Sequence, residues 1–234
     1  MNSNSPLISC ICITGDKPLE LQRAVACFIK QDYPNTELII SYPKNDLPSI
    51  NILNRLVENS IIKMSRLERP RDETTVSARN AAIEIAHGEF ICMWHEDHWH
   101  HANRISDQYR VIKNSPFRSS VISEILLFDL KKRMTYASKF RCWPETICCD
   151  KQIMLKACYI NEETTWRQII QFLFSQNVLY QINNSPHLYI YIFDHLWKNR
   201  TIPCSRYAKG EGLTDINEIV LDIIQLDQYL LDNR

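Results

Sequence analysis

The apolar residues of the first ninety positions alternate between short β-rich runs and stretches with helical spacing. Leu7 to Ile13 reads as a buried strand. Thr14, Gly15, Asp16, Lys17 and Pro18 then supply turn residues before a helix carrying Leu21, Val25, Phe28 and Ile29. Glu37 to Tyr42 makes a second strand after the turn at Tyr33, Pro34 and Asn35. Strand, helix, strand at this spacing is a βαβ unit, which forces a parallel pair and a crossover helix, so the sheet is expected to be mostly parallel. Asn51 to Ile62 reads as a second crossover helix, with Ile61 and Ile62 open to the next strand, and Ser65 to Thr75 as a polar, arginine-rich loop. Ser77 to Ala86 places Ala78, Ala82, Ile83 and Ala86 at helical spacing. Gly88 is expected to end that helix as a left-handed cap before the strand Phe90 to Trp94.

The second half is read in the same way. Ala102 to Lys113 has a helical pattern, while Ser120 to Leu130 and Met134 to Ser138 suit two strands around the basic turn Lys131, Lys132 and Arg133. Thr164 to Phe174 is an apolar-striped helix and His187 to Phe193 an aromatic strand. Asp215 to Leu231 is a helix with Ile216, Ile219, Val220, Ile223, Ile224 and Leu230 on one side. The outer face of that last helix is acidic, through Asp215, Glu218, Asp222, Asp227 and Asp232, so it suits packing on protein better than an anionic bilayer.

Composition narrows the function classes. Lys plus Arg and Asp plus Glu number 27 each among 234 residues, so no global field draws the chain to nucleic acid, and an anionic ligand has to be met by local charges. The nine cysteines include no CxxC pair, and Cys10, Cys12, Cys27 and Cys92 lie in apolar segments. They read as reduced thiols in a cytoplasmic protein, and a zinc ribbon has little support. The amino terminus lacks the basic leader and long apolar stretch of a secretory signal, and no segment approaches the roughly 18 apolar residues of a membrane span. The expected location is cytoplasmic, at most peripheral at the inner membrane face. Four glycines is a low count for the length.

The most informative stretch follows the strand at Phe90. It runs WHEDHWHHANRI from Trp94 to Ile105, a cluster of His, Glu and Asp between two tryptophans. A buried strand that ends in ionisable side chains delivers them to the carboxyl edge of a sheet, where α/β proteins tend to bind ligands. By itself the cluster is equally a solvated loop whose histidines bond locally, with His100 and His101 at the surface. Arg79 is by itself a surface ion-pair partner, Glu162 and Glu163 favour a helix amino terminus, and Trp94, Trp99, Trp143 and Trp197 read as core or wall aromatics. Trp143, in the irregular stretch RCWPET, is the one placed to line an acceptor pocket.

Four features in order, ITGDKP, ARN, GEF and WHEDHWHHANRI, resemble the family-2 nucleotide-sugar glycosyltransferases of the GT-A fold. Those sequences commonly run through a Pro-Thr-x-Asn-Arg-Pro-like turn, Ala-Arg-Asn, Gly-Glu-Tyr, and an acidic run ending in His-Pro-Asp-Arg. The resemblance covers roughly residues 6 to 200. It implies an α/β fold, a Rossmann-like and mostly parallel sheet flanked by helices with a smaller mixed acceptor-side subregion. The chain would form one continuous domain, residues 1 to 110 forming the nucleotide-sugar half and residues 111 to 234 the acceptor half with the C-terminal helix. The activity implied is inverting transfer of a sugar from a nucleoside-diphosphate donor, a UDP-sugar first, to a carbohydrate or lipid-linked acceptor.

The resemblance assigns Thr14, Arg79 and Glu96 to the nucleotide, and Asp97, His95 and His195 to a divalent metal, Mn²⁺ or Mg²⁺. Glu163, with Glu162, stands where the family carries its general base. Two positions depart from the family pattern: His95 replaces the first acid of the metal motif, and Ser41 and Tyr42 replace a nucleotide-binding Asp after the second strand. Imidazole suits Mn²⁺ or Zn²⁺ better than Mg²⁺. These replacements keep open a second reading, a degenerate domain that binds nucleotide or glycan without transfer; a zinc hydrolase on His95 and His98 is a third.

Overall fold

The computed structural model of the chain describes residues 5–58, 62–157, 165–193 and 204–225. The first βαβ units appear as β1 (Ile8–Ile13), α1 (Pro18–Ile29), β2 (Thr36–Pro43), α2 (Leu47–Glu58), β3 (Met64–Arg69), α3 (Thr75–Ile85) and β4 (Phe90–Met93). After these come β5 (Trp99–His100), α4 (Arg104–Arg110), β6 (Ser119–Ile122), β7 (Leu126–Asp129), β8 (Met134–Ser138), β9 (Cys148–Asp150) and α5 (Lys151–Lys156). The chain then forms α6 (Thr165–Ser175), β10 (Leu179–Ile182), β11 (Tyr189–Phe193), β12 (Ala208–Lys209) and α7 (Thr214–Ile224).

A seven-stranded sheet has the order β10-β6-β9-β4-β1-β2-β3. Its pairs β3 to β2, β2 to β1 and β1 to β4 are parallel, as is β10 with β6, and β9 alone runs against both of its neighbours. The central strands are covered on both faces, which is why they read as continuous apolar runs. Ile8, Cys10 and Cys12 of β1 pack with Leu21, Val25 and Phe28 of α1 and with Leu53 and Leu56 of α2. Ile11 points the other way, into a cluster with Ala82 and Ile83 of α3 and Ile169 and Leu173 of α6. The described cysteines are unpaired thiols, all buried but Cys142. Cys10, Cys92 and Cys148 sit abreast on neighbouring strands and fill the core as small hydrophobes.

The smaller sheet, β12-β8-β7-β11-β5, is mixed. Its β7–β8 hairpin turns at Lys131, Lys132 and Arg133, and α7 covers it with Val220, Leu221 and Ile224 against Leu126, Phe128, Ile190 and Ile192. Because β5 is the edge strand of this sheet, pairing Trp99 with Ile190, the polar cluster that starts after β4 lies between the two sheets.

Several expectations are corrected. Met64–Arg69, within the stretch read as a loop from Ser65, is the edge strand β3. Its half-exposed residues gave no clean alternation, as suits an edge with one neighbour. Gly88 has no left-handed backbone; α3 is capped by Ala86, and Gly88 is required by close approach. A Cβ there would lie 2.5 Å from Ser9 Oγ and 2.7 Å from Leu7 O and Ser9 N. Ser120 to Leu130 divides at Ser123 and Glu124 into β6 and β7, which belong to different sheets. The helix read from Asn51 begins a turn earlier, at Leu47, and α4 is shorter than read. The segment at His187 opens as a 3₁₀ turn, Pro186–Leu188, before β11. The last helix runs Thr214–Ile224, and its expected continuation to Leu231 lies largely outside the described residues. The low glycine count has an answer in the turns. Asp16, Asn45, Asn114, Asn177, Asn184 and Arg133 hold positive φ, with Gly210 the one glycine in that region among the described residues, so asparagine does the work glycine often does.

Candidate functional site

The site forms because β1 and β4 are parallel neighbours. Ile11 is in register with Met93, so Thr14 to Lys17 and Trp94 to Asp97 leave adjacent strands at the same carboxyl edge. Trp94 is itself core. Its N–H donates to Ile11 O at 2.9 Å, its indole N–H donates to Ala24 O at 3.0 Å, and Phe28 meets it edge-on. The polar residues begin directly after this anchor. Pro18 starts α1, so Lys17 stands at the first turn with its side chain over the strand ends. There a cavity of about 230 Å³ is lined by Lys17, Arg79, Trp94, His95, Glu96 and Asp97, among others.

Of the sequence-predicted residues, Arg79, His95, Glu96 and Asp97 are brought together in this cavity. Thr14 is adjacent but buried at 1% exposure; its peptide N–H donates to Ser41 O, and its carbonyl accepts from Arg69. Glu162, Glu163 and His195 lie outside the described residues, as does Trp197. Trp143 is 2% exposed and packs against Tyr191 and Tyr207. It is a wall residue at depth, not an open platform.

Lys17 is the cavity residue that the sequence pattern did not single out. Its ammonium lies 3.3 Å from Glu96 Oε1 and 3.4 Å from Asp97 Oδ2, with side-chain exposures of 9%, 8% and 19% for the three residues. Its signal was present in ITGDKP, where a base precedes the proline that opens α1. Burial pushes the Glu96 carboxyl up to about 8, against the pull of Lys17 and with the added push of Asp97. At neutral pH Glu96 is therefore mostly protonated, and Asp97 is the carboxylate fitted to carry charge.

Asp97 is held from its other side by His98, whose Nε2 is 3.4 Å from Oδ1. His98 is fully buried, its Nδ1 accepts the peptide N–H of Ile192 at 3.2 Å, and its ring lies 4.0 Å from that of Tyr191. An Nδ1 that accepts is unprotonated, so the proton of the neutral ring is on Nε2, facing Asp97. His95, Asp97 and His98 carry ligand atoms within 4.8 Å of one another. The Ile192 bond makes His98 a support for Asp97, and His95 and Asp97 are the pair whose chemistry fits a divalent cation.

His100 and Arg104 also correct the expectation of a surface histidine. His100 is 1% exposed, stacked on Trp94 at 4.0 Å, and donates from Nε2 to His95 O at 2.8 Å. Burial, then the charge of Arg104, holds it well below the usual imidazole range, so it stays neutral. Arg104, fully buried, donates to the His100 Nδ1, to Met93 O at 2.8 Å and to Gln108 Oε1 at 3.1 Å, between the rings of Trp94 and Tyr189. One guanidinium thus fixes both ends of the motif. Ser41 is fully buried, and the acid near β2 is Asp46, which accepts the Asp16 N–H at 2.9 Å and so shapes the turn after β1.

The family model for glycosyl transferase family 2 matches residues 9–181, and the chain belongs to that family. No curated protein sequence matches it. Among solved structures, S. aureus TarS 1-349 in complex with UDP-GlcNAc superposes with a TM-score of 0.65 at 11% identity over 80% of this chain and 58% of TarS 1-349. The mannosyltransferase PcManGT from Pyrobaculum calidifontis, in complex with GDP-Man and Mn²⁺, gives 0.63 at 10% identity over 97% of this chain and 70% of its own. The chain therefore spans less than two thirds of TarS 1-349, and at these identities the likeness shows the fold. That fold is GT-A, a mostly parallel central sheet flanked by helices. Among the described residues no helix is long and apolar enough to cross a membrane.

Proposed function

We propose that the chain is an inverting glycosyltransferase that moves a sugar from a nucleoside-diphosphate donor, a UDP-sugar first, to a carbohydrate or lipid-linked acceptor. The observation that carries this reading is the convergence of Asp97, His95 and Arg79 on one cavity at the carboxyl edge of β1 and β4. Residues 1 to 110 would supply the donor side and residues 111 to 234 the acceptor side. Arg79 would meet the diphosphate or uracil, and Glu163, beside Glu162, would take the acceptor hydroxyl's proton as the sugar carbon is attacked. Asp97 and His95, with His195, would hold Mn²⁺ or Mg²⁺, which supplies charge neutralisation on the departing diphosphate. Buried unpaired thiols suit a reducing, cytoplasmic setting.

The degenerate-domain reading is favoured by the burial of Ser41 and the neutral Glu96. A donor screen separates the two. Purified protein is incubated with nucleotide sugars, Mn²⁺ and water or candidate acceptors, and products are read by mass spectrometry. Release of nucleoside diphosphate that disappears in Asp97→Asn supports the enzyme. Calorimetric binding of nucleotide with no release from any donor supports the binding domain.

A further inference from the structure

We propose that Lys17 is a built-in counter-cation of the donor site, competing with a divalent metal for Asp97 and carrying part of the diphosphate's charge in its place. The inference rests on the reading of the cavity as a nucleoside-diphosphate site, and goes beyond it by assigning the charge compensation to the chain itself.

Three observations converge on it. The ammonium sits between the two acidic residues of the motif, 3.3 Å from Glu96 and 3.4 Å from Asp97. It lines the same cavity as Arg79, so a ligand there meets two fixed cations from opposite elements, the turn before α1 and the helix α3. Its side chain is only 9% exposed, so its charge is screened weakly and its position is set by Pro18 behind it. A divalent cation seated on Asp97 would have this positive charge as a close neighbour, which weakens metal binding. The same charge favours an anion in the cavity without any metal. An ammonium held by the Asp97 carboxylate and the Glu96 carboxyl is also preorganised, so donor binding would not wait for the metal to assemble the site.

The test uses Lys17→Met and Lys17→Arg in the full chain, each first checked for an unchanged thermal melt. Mn²⁺ affinity of the nucleotide-free protein is read by electron paramagnetic resonance, and UDP and GDP binding by calorimetry, once with EDTA and once with Mn²⁺. Wild-type protein is expected to bind nucleoside diphosphate in EDTA within about threefold of its affinity with Mn²⁺. Lys17→Met should bind Mn²⁺ at least about tenfold more tightly, lose about tenfold or more of the EDTA-condition affinity, and recover it when Mn²⁺ is added. Lys17→Arg, which keeps the charge, should retain the EDTA-condition binding. If Lys17→Met leaves Mn²⁺ affinity and EDTA-condition binding unchanged, the inference is overturned while the donor site stands. If wild-type protein binds neither nucleotide under either condition, the donor-site reading itself falls, and the inference with it. Should Lys17→Met fail to fold, Lys17→Gln and Lys17→Arg give the same contrast between a neutral and a charged side chain.

Discussion

Glu37 offers the most direct test of how this fold is held. At 1% side-chain exposure on β2, its Oε1 accepts the Ser9 hydroxyl at 2.6 Å and the His87 peptide N–H at 2.7 Å, while Oε2 lies 3.6 Å from Lys63 Nζ. Ser9 Oγ in turn accepts the Gly88 N–H at 2.8 Å. One carboxylate therefore ties β1, β2 and the turn into β4 at the amino edge of the sheet, opposite the cavity. A hydrogen bond to a charged group contributes about 1.5–3 kcal/mol, and two that share an oxygen do not add in full, so Glu37→Ala is expected to cost about 3 kcal/mol. With a urea slope of roughly 2 kcal/mol/M this lowers the unfolding midpoint by about 1.5 M, read by tryptophan fluorescence. Burial pushes the Glu37 carboxyl up, but the Ser9 hydroxyl, the His87 N–H and Lys63 together outweigh it and hold it below the usual carboxylate range. A depressed folded value means the stabilisation is complete above the unfolded value of about 4.3 and is lost as pH falls through the folded one. The gap between wild type and Glu37→Gln should thus be flat above about pH 5 and close in more acid solution. A cost below about 1 kcal/mol for Glu37→Ala, or a gap that widens in acid, would refute the argument.

Gly88→Ala should destabilise by about 1–3 kcal/mol or more in the same titration, because its Cβ would meet the backbone at Leu7 O and Ser9 N, which cannot swing aside, as well as Ser9 Oγ. Arg104→Met leaves His100 Nδ1, Met93 O and Gln108 Oε1 without their shared donor. A loss of about 3 kcal/mol is expected, accompanied by weaker nucleotide binding in calorimetry as the ends of the motif come apart. On the proposed mechanism, Glu163→Gln cuts turnover by about 10²–10⁴ with donor affinity largely kept; unchanged turnover would remove it as the base. In the native protein a thiol reagent should react quickly with only one of the eight described cysteines, half-buried Cys142, and with all eight after unfolding.

The chain's local pattern was enough to place β1, α1, β2, α3, β4 and the hairpin strand Met134–Ser138, because both faces of a central parallel strand are apolar and a helix repeats its stripe within one turn. The resemblance to the glycosyltransferase family, not the pattern, singled out Arg79, His95, Glu96 and Asp97, and these four line one cavity. The same pattern was silent on β3 and on the short strands β5, β9 and β12, whose character comes from the neighbour they pair with.

Tertiary structure alone decided the chemistry inside the cluster. Lys17 and Asp97 are eighty positions apart, and only the parallel register of β1 and β4 brings them within 3.4 Å. The proton of His98 is set by a peptide of β11, and His100 is buried because Tyr189, Arg104 and Trp94 close around it. Hydrophobic periodicity is a property of neighbouring residues along the chain. Charge pairing, tautomer and burial belong to residues distant in the chain that meet only when strands pair and the two sheets close on one another, and no local pattern carries that meeting.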